Sequence, residues 1–102
     1  PAILVMDEPC SGLDLYEREK LLDNMNGLAR RNMTIIYVTH HIEEIMPIFT
    51  HVVLMNQGKI VAAGPKQSVL TPDHLISAYE VPIAIDWFEE RPWVRVVRGT
   101  VS

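Results

Sequence analysis

An α/β fold with parallel strands, flanking helices and antiparallel hairpins towards the carboxyl end follows from three features of this sequence. Two apolar runs, Ile3 to Met6 and Thr34 to His40, read as strands of a parallel sheet, and the first is a continuous run of the kind covered on both faces. The segment between them carries helical spacing, so strand, helix and strand form a right-handed parallel crossover. Further on, paired strand-like runs are joined by turn chemistry, which predicts hairpins.

The first strand ends in Asp7-Glu8 and a tight Ser11-Gly12 turn follows. Asp14 is placed to cap the helix, and Glu17, three residues on, completes a capping-box-like pair. Leu21, Leu22, Met25, Leu28 and Ala29 then share one helical face, Arg30 and Arg31 suit the dipole of the last turn, and Asn32 is a stop. The second strand ends in Thr39-His40. Because parallel strands point the same way, Asp7, Glu8 and His40 are expected to meet at the carboxyl rim of the sheet, where open α/β folds bind ligands.

Beyond His40, Ile42, Ile45 and Met46 predict a short helix that Pro47 interrupts or ends, with Glu43 and Glu44 favouring its amino end. His51 to Met55 and Lys59 to Ala63 form a hairpin about Asn56-Gln57-Gly58, and Gly64-Pro65 breaks the pattern. Short helices are expected over Ser68 to Leu70 and Pro72 to Tyr79, the second capped by Thr71. Val81 to Phe88 and Val94 to Val97 read as a last hairpin around Glu89 to Pro92. Trp87, Phe88 and Trp93 are expected to close it against the body of the protein, and His51 and His74 read as surface residues.

Composition narrows the function. The 102 residues are 48% hydrophobic, ample for one small core, and carry a net charge of −4, which disfavours a nucleic-acid partner. A single cysteine, Cys10, excludes an internal disulfide framework and suits a reducing compartment. No apolar run approaches the roughly 20 residues that cross a bilayer, so any link to a membrane is expected to come through a partner.

The stretch Asp7-Glu8-Pro9-Cys10-Ser11-Gly12-Leu13-Asp14 resembles the block of ABC-type ATPases in which Walker B, the catalytic glutamate and the D-loop run together. One helix later, Thr34 to His40 resembles the H-loop, or switch region, of the same family. The resemblance implies a partial P-loop NTPase (RecA-like) sheet and ATP with Mg²⁺ as ligands. It assigns Asp7 to the metal, directly or through water, because a hard cation prefers oxygen donors. Glu8 polarises the attacking water, and His40 senses the terminal phosphate. Ser11, Gly12, Leu13 and Asp14 resemble the D-loop, and the resemblance implies contact with a second nucleotide-binding domain, as a homodimer, driving a transmembrane permease at the cytoplasmic face of the membrane.

No G-x-x-x-x-G-K-[ST] phosphate loop, Q-loop or signature occurs; Gly58-Lys59 sits in the first hairpin turn. Residues 1–102 are therefore expected to be the carboxyl-terminal part of one nucleotide-binding domain, inactive alone, with an exposed apolar sheet face that promotes self-association. Cys10 stands where the family usually carries Thr or another small residue. A zinc site from Cys10, Asp7, His40 and His41 lacks the usual chelating pairs, and His41 reads as an exposed helix-start residue. Two other readings stand beside the transporter ATPase: a soluble ABC-type ATPase of the SMC or repair class, and a non-catalytic interaction module. The Val52 to Ala63 hairpin resembles transporter subunits more than SMC-like heads.

Overall fold

The computed structural model describes residues 2–29 and 31–98. The chain divides after Glu44 into two compact units.

In the first unit, β1 (Ala2–Asp7) and β2 (Met33–Val38) pair in parallel, with Ala2 opposite Met33 and Asp7 opposite Val38. The crossover between them is α1 (Leu15–Ala29). Asp14 caps it as expected: its Oδ1 accepts the Glu17 backbone N–H at 2.8 Å. Leu22 and Met25 are fully buried from this helix, each contributing about 1.5–3 kcal/mol of apolar burial. Asn32 ends the connection in the left-handed region, at φ 58°. Arg30 lies outside the described residues.

The sheet has unequal faces. Leu4, Met6, Ile35 and Tyr37 are partly covered, whereas Ile3, Val5, Ile36 and Val38 are exposed, Ile3 by 70% and Val5 by 62%. The pairing of Val5 with Ile36 puts these exposed residues on one face. The expected uncovered apolar face is therefore present.

After β2 the expected helix shrinks to one 3₁₀ turn, Ile42–Glu44. Ile45 and Met46 are buried beyond its end, so Pro47 is not what terminates it. Glu44 does not serve the helix dipole from the surface. It is buried, and its carboxylate turns to hydroxyl groups on and just beyond β2.

In the second unit, β3 (His51–Asn56) and β4 (Lys59–Pro65) form an antiparallel hairpin with a register shift between Leu54 and Met55. The strand β4 continues through Gly64, at φ 147°, to Pro65, which pairs with His51; the anticipated break is absent. Proline is tolerated because it closes the strand, where no further ladder N–H is needed. The next helix, α2 (Lys66–Val69), begins two residues earlier than expected. Helix α3 (Pro72–Tyr79) has the expected bounds, and Thr71 caps it by accepting the His74 N–H at 3.3 Å.

Leu75 and Ala78 of α3 are buried with Leu54, Val69, Leu70 and Ile83 in the core of this unit. The last hairpin joins β5 (Ile83–Phe88) to β6 (Arg91–Val96). Its turn has two residues rather than four: Glu89 and Glu90 take φ of 51° and 65°, the twist-matched arrangement of a two-residue hairpin. Phe88 and Trp93 do not close the hairpin inward. They are 66% and 38% exposed, and the Arg91 guanidinium lies 4.4 Å from the Trp93 ring centroid. The buried side chain there is Pro92. His74 is also less peripheral than its sequence context suggests, since its Nδ1 lies 2.9 Å from the Val69 carbonyl.

Lys66 supplies an unexpected staple. Its buried Nζ donates to the carbonyls of Pro47 at 3.3 Å and Glu90 at 3.1 Å. Burial pushes its pKa below the usual lysine value.

Candidate functional site

Parallel pairing brings the ends of β1 and β2 to one rim of the first unit. The Glu8 N–H donates to the Val38 carbonyl at 2.7 Å, one step beyond the last strand pair. Glu8 itself turns into the left-handed region, at φ 47°. This is uncommon for a residue with a Cβ and is held here by that bond and by the turn that follows. The Ser11 N–H reaches the Glu8 carbonyl at 3.1 Å, and the Leu13 N–H reaches the Cys10 carbonyl at 3.1 Å. Gly12 makes the reversal possible at φ 81°.

At this rim the Glu8 Oε1 lies 3.3 Å from the His40 Nε2. The two residues come from blocks more than thirty positions apart, so chain topology alone accounts for their meeting. The imidazole is 82% exposed and the carboxylate 39%, leaving both open to a ligand from solvent. They line an open recess of about 450 Å³ together with Cys10, Ser11, Gly12 and Leu13. Asp7 stands one residue from Glu8, exposed at the end of β1 and opposite Val38, and does not line that recess. Asp14 serves as the α1 cap. His41 is exposed, as expected, with its Nδ1 3.8 Å from Glu43.

Beneath the rim lies a polar chain that the sequence reading did not single out. Tyr37 donates its hydroxyl proton to Glu44 Oε1 at 2.6 Å, and Thr39 Oγ1 donates to the same oxygen at 3.0 Å. Cys10 Sγ is 3.2 Å from the Tyr37 hydroxyl oxygen. Since Tyr37 gives its only proton to Glu44, the thiol must be the donor in that contact. Burial pushes the Cys10 thiol above its ordinary range, with the nearby Glu44 charge adding to the rise. Burial likewise raises the Tyr37 phenol strongly, aided by its bonds to Cys10 and Glu44. A signal for this cluster exists in the sequence: Glu44 interrupts the apolar set Ile42, Ile45 and Met46, and Tyr37 and Thr39 alternate onto one strand face. An acid in an apolar stripe needs donors, and two hydroxyls two residues apart can supply them.

The donor set fits part of a magnesium–nucleotide complex. Asp7, at the strand end, offers carboxylate oxygens of the kind a hard cation takes, and the His40 imidazole has a ring nitrogen that can meet a phosphoryl oxygen. The G-x-x-x-x-G-K-[ST] motif that forms the backbone cradle for β- and γ-phosphates does not occur in this sequence.

No protein-family model matches the sequence. Among curated proteins, the uncharacterized ABC transporter ATP-binding protein YlmA of Bacillus subtilis is 40% identical over 96 residues, covering 92% of this chain and 36% of that protein. The molybdenum import ATP-binding protein ModC of Photobacterium profundum is 43% identical over 70 residues, 68% of this chain and 20% of that protein. Among solved structures, an inward-facing transporter assigned to the metal-chelate ABC type superposes with a TM-score of 0.76 at 26% identity, covering 93% of this chain and 39% of that one. The chain spans about a third of the length of YlmA. With the Asp7 to Asp14 and Thr34 to His40 blocks folded on one parallel rim, and with these relatives, the chain belongs to the ABC-type ATPase family.

Proposed function

We propose that this chain is the Walker B to H-loop portion of the ATP-hydrolysing subunit of a membrane ABC transporter. The observation that carries the reading is the Glu8–His40 pair, 3.3 Å apart at the carboxyl rim of two parallel strands. Phosphoryl transfer to water asks the protein mainly for positioning and charge stabilisation. Glu8 is suited to orient and polarise the attacking water, and His40 to contact Glu8 and the terminal phosphate. Asp7, exposed at the same strand end, is the candidate for Mg²⁺, which when bound neutralises charge on the phosphates. Ser11, Gly12 and Leu13 form an exposed to half-exposed turn, available to a second nucleotide-binding domain.

The whole subunit would act beneath a permease at the cytoplasmic face of the membrane. Among the described residues no helix is long and apolar enough to cross a bilayer, in keeping with attachment through a partner. The names of YlmA and ModC favour a transporter over the SMC or repair class. The uncovered face bearing Ile3, Val5, Ile36 and Val38 is the place for further elements of the same domain, including those that carry the phosphate loop.

The test uses the full-length protein. Glu8→Gln is expected to lower ATP turnover by roughly a hundredfold or more while nucleotide binding, read by equilibrium titration, stays within a few fold. Turnover near the parent value would remove Glu8 from this role and the reading with it.

A further inference from the structure

We infer that Glu44 is a positioning residue for His40, acting through Thr39. The inference rests on the reading of Glu8 and His40 given above. The Glu44 carboxylate is 2% exposed yet has no cation bonded to it among the contacts described; its Oε1 is met by two hydroxyls, from Tyr37 and Thr39. The Thr39 Oγ1 in turn accepts the His41 backbone N–H at 3.0 Å. Thr39 and His41 bracket His40. The hydroxyl therefore closes a short turn whose middle residue is the exposed imidazole, and Glu44 fixes the orientation of that hydroxyl.

The proton directions agree along the whole chain. Thr39 gives its one hydroxyl proton to Glu44 and keeps lone pairs for the His41 N–H. Had Thr39 donated elsewhere, the buried carboxylate would lose one of its hydroxyl partners, a costly change at low dielectric. The other arm, from Glu44 through Tyr37 to Cys10, reaches the turn after Glu8. One buried oxygen thus fastens the segments on both sides of the Glu8–His40 contact. An exposed imidazole at 82% accessibility has little packing of its own to hold it, so its backbone anchor decides where it points. Misplacing a reacting group by about 1 Å can cost roughly a hundredfold in rate.

The experiment measures ATP turnover of the full-length protein for Thr39→Val, Thr39→Ser, Tyr37→Phe, Glu44→Ala and Glu44→Gln, with Glu8→Gln as reference. Thr39→Val removes the hydroxyl at constant shape, so it reports even if Glu44→Ala fails to fold. Expected are a kcat lower by roughly ten- to a hundredfold for Thr39→Val, with KM for ATP within about threefold, and recovery to near the parent in Thr39→Ser. Glu44→Gln, which keeps an acceptor oxygen, should retain more activity than Glu44→Ala. Tyr37→Phe should cost less than Thr39→Val, because it leaves the Thr39 arm intact. A folded Thr39→Val with kcat within about twofold of the parent overturns the inference, as does a loss matched by an equal fall in Thr39→Ser. If Glu8→Gln is silent, the hydrolytic reading itself fails; if Glu8→Gln is dead and Thr39→Val is not, only the role of Glu44 fails.

Discussion

The two units of this chain differ in how their strands pair, parallel in the first and antiparallel in the second, and so in what an exposed sheet face costs them. Residues 45–98 fold their hairpins β3–β4 and β5–β6 with α2 and α3 around a shielded core of Leu54, Val69, Leu70, Leu75 and Ile83, and leave Val53, Met55 and Ile60 of the first hairpin exposed. Residues 2–44, which carry the candidate site, cover one face of the β1–β2 pair and leave the other open, with Ile3, Val5, Ile36 and Val38 in solvent. Antiparallel hairpins can satisfy themselves locally, whereas a parallel pair needs layers on both faces. The open face therefore weighs more on the parallel, site-bearing unit than the exposed Val53, Met55 and Ile60 weigh on the antiparallel one.

The largest effect should come from placing a charge on the open face. In the full-length protein Val5→Asp is expected to destabilise by about 2–4 kcal/mol, the cost of burying an unpaired polar group. Val53→Asp, at a position also exposed in β3, should stay within about 0.5 kcal/mol. Denaturant titration of both reads the contrast, and equal effects would erase the distinction between the units. Analytical ultracentrifugation of this chain by itself gives the complementary result: self-association reduced by Val5→Asp and unchanged by Val53→Asp.

A smaller effect compares the two helix caps. Asp14→Ala and Thr71→Ala each remove a side-chain acceptor from a helix start, and each should cost about 1 kcal/mol in thermal or denaturant unfolding. Asp14 also follows the turn that lines the recess, so its loss should lower turnover of the full-length protein as well, whereas Thr71→Ala should leave turnover unchanged.

The smallest is a pH effect confined to the first unit. Because the fold disfavours the Cys10 thiolate, the folded protein holds its proton to a higher pH than the unfolded chain does. The corresponding stability is present below the unfolded value of about 8.5 and is lost as pH rises through the raised folded value. Alkylation of Cys10 should accelerate at a higher pH than that of free cysteine, and Glu44→Gln should bring the profile down by removing the neighbouring charge. An unshifted profile would contradict the buried donor role of the thiol.

Much of the site could be read from the chain because its geometry follows from order and direction alone. A strand ending in Asp7-Glu8, a capped crossover helix and a second strand ending in Thr39-His40 leave few ways to arrange the rim. The layer beneath it was missed for a physical reason. Glu43 and Glu44 look equivalent in a short helical pattern, and both suit an amino-terminal dipole. Only the 3₁₀ turn directs Glu44 towards Tyr37 and Thr39, while Glu43 lies 3.5 Å from Arg18. The last hairpin erred similarly: Pro92 looked like turn material, but two left-handed glutamates make the reversal and leave Pro92 buried in β6.

Local chemistry by itself determined the strand-end pairs Asp7-Glu8 and Thr39-His40, the caps at Asp14 and Thr71, the reversal at Gly12 and the common rim, because each depends on neighbours in sequence or on the direction of paired strands. Tertiary structure alone decided which acid is buried, which aromatics face solvent and which hydroxyls find partners. Those outcomes turn on desolvation and on hydrogen bonds between residues distant in the chain, and such terms have no value until the fold has brought the groups together.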